Sequence, residues 1–204
     1  RLDQPIDARH INVVFSKSRA PGLLVRREDG TEVAVHNEDD PVAVAERTAE
    51  KIELGEEGIL VLFGMGLGYL PKALLSNMKD GHALIIYEAD LGIFRAALEQ
   101  TDLTDLLESK RVKVLVGKEV RLEPWFYHFL IKFGGRLQAI QYHPAFKVDP
   151  ETYEQKLHQE FLPFVNATGL NITTITVFGR LFAQNVVEAI PEVVNTPGVN
   201  CLKG

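Results

Sequence analysis

The feature that most constrains this chain is a strand, a glycine loop, a helix, a second strand and an acid in immediate succession. The apolar run Ile59-Leu60-Val61-Leu62-Phe63 leads into Gly64-Met65-Gly66-Leu67-Gly68. Tyr69 to Met78 is patterned as a helix, and Ala83-Leu84-Ile85-Ile86-Tyr87 then ends in Glu88. This is the layout of a nucleotide-binding βαβ unit. Glycines allow a tight turn and close approach of the backbone to a ligand, and an acid at the second strand's tip can accept ribose hydroxyls.

The alternation continues downstream. Asp90 predicts a cap for a helix over Leu91–Gln100, followed by a strand at Val112–Val116 closed by Gly117. Leu122 to Phe133 reads as a helix stopped by Gly134-Gly135, and Leu137–Tyr142 reads as a fourth strand. Upstream, His10–Phe15, Leu23–Arg27 and Thr31–Val35 read as short strands, with Asp29-Gly30 as a turn. Asp40-Pro41 opens a helix whose Val42, Ala45, Ala49 and Ile52 share a face, and Gly55 ends it. Past Pro150, Glu151–Phe164 and Asn171–Ile190 read as two helices. The expected fold class is α/β: a Rossmann-like, mainly parallel sheet with helices on both faces, a small N-terminal β appendage and C-terminal helices. The expected organisation is an appendage and first helix over 1–56, an α/β core over 57–150, and C-terminal helices with a linker over 151–204.

Composition narrows the partners. A net charge of −6 supplies no basic excess to neutralise phosphates, which argues against nucleic acid. No apolar run is long enough for a membrane span. The lone cysteine, Cys201, forms no internal disulfide and suits a reducing cytoplasm. The chain starts at Arg1 without methionine, and its end at Asn195-Thr196-Pro197-Gly198 resembles a linker, so it reads as a piece of a longer protein.

Gly64, Gly66 and Gly68, on a loop that opens a helix, are candidate ligand-binding positions, because free N–H groups there attract anions. The same loop can equally be a tight βα turn that binds nothing. Glu88 follows at close to the roughly 20 residues expected of a ribose-binding acid, or is a solvated carboxylate at a strand end. Tyr142-His143-Pro144-Ala145-Phe146 follows the fourth strand. If the strand order is three-two-one-four, this segment faces the glycine loop across the switch point, where ligands bind in open α/β sheets. His143 can titrate near neutrality there, or is a structural histidine before proline. Trp125, Phe126, Tyr127 and Phe129 read as core packing. His10, His36, His82, His128 and His158 show no metal-ligand spacing, so no metal site is expected.

Two resemblances follow from these residues. The Gly64-x-Gly66-x-Gly68 spacing is similar to the loop of S-adenosylmethionine-dependent methyltransferases, which usually carry an acid where Leu62 stands. His-Pro-Ala-Phe at 143–146 echoes their Asn/Asp-Pro-Pro-aromatic loop. More of the chain resembles the N-terminal domain of the motility accessory factor (Maf) glycosyltransferases. Gly64-Met65-Gly66-Leu67-Gly68-Tyr69 is similar to that family's "GxGLGY" signature. Glu88-Ala89-Asp90 with Ile93-Phe94-Arg95-Ala96-Ala97-Leu98 is similar to its "EP(D/N)xxIFxxAL" stretch, with Ala89 in place of proline. Asn171-Ile172-Thr173, Phe178-Gly179-Arg180 and Asn185 resemble the helix before its next domain.

The Maf resemblance implies an accessory Rossmann-like domain in bacterial protein glycosylation of the flagellin type, without catalysis of its own. The implied partners are a downstream MptE-like domain of the same chain, which carries the sugar-nucleotide site, and an acceptor protein such as flagellin. The alternatives are a methyltransferase-like domain using S-adenosylmethionine and a nucleotide-binding module. Gly64, Gly66, Gly68, Glu88 and His143 would line the crevice for either ligand.

Overall fold

A computed structural model describes residues 10–169. Helix Asn171–Ile190 and Cys201 lie outside the described residues. The chain divides into two compact units, Arg1–Leu162 and Pro163–Gly204; the described part of the second, 163–169, is helical.

Three short strands come first: β1 (Ile11–Phe15), β2 (Pro21–Arg26) and β3 (Glu32–Ala34), antiparallel and in that order. Asp29-Gly30 makes the β2–β3 turn. Gly30 has φ 83°, and Asp29 Oδ1 accepts from both the N–H and the hydroxyl of Thr31. Helix α1 (Pro41–Glu50) starts at Asp40, whose carboxylate accepts from the N–H groups of Val42 and Ala43. It ends several residues before Gly55, where Lys51 N–H bonds back to Thr48 and Ala49.

The core then runs β4 (Gly58–Phe63), α2 (Tyr69–Asn77), β5 (His82–Glu88), α3 (Leu91–Gln100), α4 (Thr104–Glu108), β6 (Val112–Val116), α5 (Glu123–Phe133) and β7 (Leu137–Gln141). All neighbouring strands are parallel, in the order β6-β5-β4-β7, which is the order three-two-one-four on which the placement of the Tyr142–Phe146 segment is conditional. Every residue of β4 and β5 is buried, as central parallel strands covered on both faces require. One face carries Leu60, Leu62, Leu84 and Ile86 into a core with Leu70 and Leu74 of α2 and Ile93 and Ala97 of α3. Leu23, Val25 and Val35 of the appendage join that core. On the other face Phe63 meets Phe161 edge-on at 5.9 Å, and Phe161 meets Phe126 of α5 at 5.8 Å. The structure therefore has the α/β fold expected, with helices on both faces.

Two local expectations are corrected. The segment after the fourth strand is not a loop, because His143–Val148 forms helix α6 with Pro144 in its first turn, where a missing N–H costs nothing. The single helix expected over Glu151–Phe164 is continuous but not regular. Helix α7 (Pro150–Gln155) passes into a π-helical segment, Lys156–Phe161, in which Leu162 N–H reaches Leu157. Pro163 follows and has no N–H to donate, so the wider turn sits where the regular ladder loses a donor. No helix among the described residues is long and apolar enough to cross a membrane.

Candidate functional site

The four parallel strands all end at one edge, and the chain leaves β4 there through the glycine loop. Gly66 has φ 54°, and a β-carbon on it would stand 2.7 Å from Nε2 of His36. A β-carbon on Gly64, at φ 90°, would collide with that of Ala145 on α6. Both positions need glycine for handedness and for space. Gly68, at the start of α2, abuts Leu103.

Four of the loop's five N–H donors, those of Gly64, Met65, Leu67 and Gly68, are engaged internally. Gly64 N–H bonds to Tyr87 O at 2.7 Å and Gly68 N–H to Met65 O at 3.0 Å. Met65 N–H bonds to Glu88 Oε2 at 2.9 Å, and Leu67 N–H bonds to His36 Nε2 at 3.0 Å. The loop and Glu88 are thus brought together as the sequence suggested, but facing each other.

Glu88 is fully buried. Its Oε1 accepts from Asp90 N–H at 3.1 Å and from the Tyr153 hydroxyl at 2.7 Å. Ala89 N–H in turn donates to that hydroxyl. Burial pushes the Glu88 carboxyl up to about 7, against the opposing pull of its three donors. Burial beside Glu88 also raises the Tyr153 phenol. Asp90 caps α3 through the N–H groups of Gly92 and Ile93 and also meets His10 Nε2 at 2.8 Å.

His36 enters from the end of β3. It packs edge-on against Tyr69 at 5.4 Å, and burial lowers it to about 4, so it is neutral. Its Nδ1 also faces the N–H of Leu23 at 3.2 Å. A neutral imidazole has one acceptor nitrogen, so it serves one of these two N–H groups at a time. Tyr142 closes the other side, donating from its hydroxyl to Val35 O at 2.5 Å, and its ring lies near Gly64 and Gly66. Tyr69 donates to Pro21 O at 2.9 Å. The appendage is thereby fastened over the carboxyl ends of the strands.

His143 is exposed at the first position of α6. Its neighbour Tyr142, not His143, reaches the loop. His36, Tyr142 and Tyr153 are the contacts sequence reasoning missed. His36 joins Leu67 from 31 residues away, Tyr153 joins Glu88 from 65, and Tyr142 joins Val35 from 107, and no local spacing signals such pairs. No group of three or more His, Cys, Asp or Glu among the described residues is placed to hold a metal.

Residues 19–118 match the family model of the glycosyltransferase Maf N-terminal domain. This stretch belongs to that family. The Maf segment includes β2, β3, α1, the glycine loop, His36 and Glu88; Tyr142 and Tyr153 lie beyond it. An uncharacterised protein of Treponema pallidum (strain Nichols) is 28% identical over 142 residues, covering 69% of this chain. The chain spans about half of that relative's length, 47%. A solved structure from Methanococcus maripaludis, a candidate S-adenosyl-L-methionine-dependent methyltransferase, is 13% identical with a TM-score of 0.30, over 73% of this chain and 75% of that one.

Proposed function

We propose that this chain is the accessory Rossmann-like domain of a Maf/MptE-like protein in bacterial protein glycosylation of the flagellin type, working in the cytoplasm as scaffold or recognition domain. Catalysis belongs to a downstream MptE-like domain of the same protein, and the acceptor is a protein such as flagellin. One observation carries this reading. The N–H groups of Gly64, Met65, Leu67 and Gly68 are spent on Tyr87 O, Glu88, His36 and Met65 O, and Glu88 spends both oxygens inside the fold. A nucleotide at Gly64, Gly66, Gly68, Glu88 and His143 would have to displace His36 and Tyr142 and take over their hydrogen bonds, whose loss leaves the Leu67 N–H and the Val35 carbonyl unpaired.

Titration calorimetry of the 204-residue chain with S-adenosylmethionine, S-adenosylhomocysteine and CMP is the test. The expected outcome is no binding tighter than about 1 mM. A micromolar constant for any of the three, weakened by Glu88→Gln, would replace this reading by a nucleotide-binding module or a methyltransferase-like domain.

A further inference from the structure

Strand β1 is an outer strand of the appendage sheet, paired only with β2 within that sheet. Its sequence is Ile11-Asn12-Val13-Val14-Phe15, with four apolar residues and no charge. Val13, Val14 and Phe15 are 40%, 43% and 71% exposed. Successive side chains of a strand point to opposite faces, so exposure of both Val13 and Val14 means that beyond Ile11, which packs on α3, neither face of β1 is covered by the described residues. Proteins usually guard such an edge with charge, proline or a bulge. Glu32 does this on β3 and Lys113 on β6, while the outer strand β7 carries two glutamines. Strand β1 carries no such guard.

The edge is also tied at both ends. At its start His10 meets Asp90 at 2.8 Å, and the Ile11 side chain lies against Gly92 of α3. At its end Ser16 N–H bonds to Ala20 O, and Lys17 Nζ meets Asp39 at 2.6 Å. A fixed template loses little entropy when another strand is added.

We propose that β1 is a homotypic docking edge, to which a second copy of this chain adds its own β1 antiparallel, giving one six-stranded sheet. The strand is complementary to itself. With the two five-residue strands fully overlapped, Val13 faces Val13 of the second copy, Ile11 faces Phe15, and Asn12 faces Val14. No charge meets a like charge over the paired strands, and the two-fold contact closes on itself. Two short strands bury well under the roughly 800 Å² per partner of a standard interface, so the dimer is weak and forms at high micromolar concentration.

Sedimentation equilibrium of the full chain over a wide concentration range tests this. The wild type should show a monomer–dimer equilibrium. Val13→Lys and Val13→Asp should each raise the dissociation constant at least tenfold, because each sets like charges opposite one another. Mixing the two variants should restore association to the wild-type level or better, since Val13 opposes itself only in this register. Circular dichroism and the thermal midpoint should stay unchanged in both, which excludes misfolding. Three results would overturn the proposal: a wild type monomeric throughout, a dimer indifferent to both substitutions, or a mixture no tighter than the separate variants. Dimerisation that appears only after removal of residues 1–9 would also overturn it, by naming that segment as the occupant.

Discussion

Glu88 and His36 both meet the glycine loop, and burial moves them in opposite directions. Glu88 is raised from 4.5 to about 7, and His36 is lowered from 6.5 to about 4. A raised carboxyl contributes stability that is complete below about pH 4.5 and lost as pH climbs through about 7. A lowered histidine contributes stability that is complete above about pH 6.5 and lost as pH falls through about 4. Near pH 5.5, then, folding takes a proton off His36 and puts one on Glu88, with about zero net uptake. The lowered carboxyls of Asp29, Asp102 and Asp149 act below this window. The expected outcome is a wild-type stability nearly flat from about pH 4.5 to 6.5. Glu88→Gln should rise with pH across that window and His36→Gln should fall, each by roughly 1 kcal/mol per pH unit. Urea unfolding at a series of pH values measures all three, and parallel curves for the two variants would refute the pairing. Glu88→Gln should also lose about 1–3 kcal/mol outright, since an amide presents a donor to the Met65 N–H or the Asp90 N–H.

The glycine loop, as an element, is under two demands that a turn elsewhere is not. Gly66 and Gly30 are both left-handed, at φ 54° and 83°, but a β-carbon at Gly30 meets nothing within 4 Å. Gly30→Ala should cost about 1 kcal/mol, the conformational term alone. Gly66→Ala must also push His36 off Leu67 and should cost about 2–4 kcal/mol. Comparable losses in denaturant midpoint for the two would mean that His36 yields without effort. The strands and the caps at Asp40 and Asp90 were legible in the sequence, because periodicity, glycine and capping chemistry act over a few residues, whereas the strand order, a non-local property, entered only as a condition. The wide turn before Pro163 was not legible, since a proline alone does not say whether a helix stops or reroutes its bonds. The filling of the crevice was not legible either. Nothing near His36 distinguishes it from the other five histidines, and Tyr142 was overlooked beside the chemically more suggestive His143.

At the scale of the molecule, the appendage shares its core with α2 and α3 and its polar contacts with the glycine loop and Tyr142. It should therefore unfold with the parallel sheet. Amide hydrogen exchange should give β2 the same opening free energy as β4 and β5, within about 1 kcal/mol. Early exchange of Leu23 and Val25 while β4 stays protected would show the appendage to be an independent flap. One contact in this set also dictates an order of events. The Tyr142 hydroxyl closes on the carbonyl of Val35, 107 residues earlier. On the ribosome the appendage emerges before the parallel sheet and must wait, its apolar side uncovered, until β7 and the residue after it have left the exit tunnel. At typical elongation rates of roughly 5–20 residues per second, that wait lasts about 5–20 seconds. The appendage, made before the sheet, is thus secured only after it, and chaperone traffic on the nascent chain should concentrate on residues 11–36 during that interval.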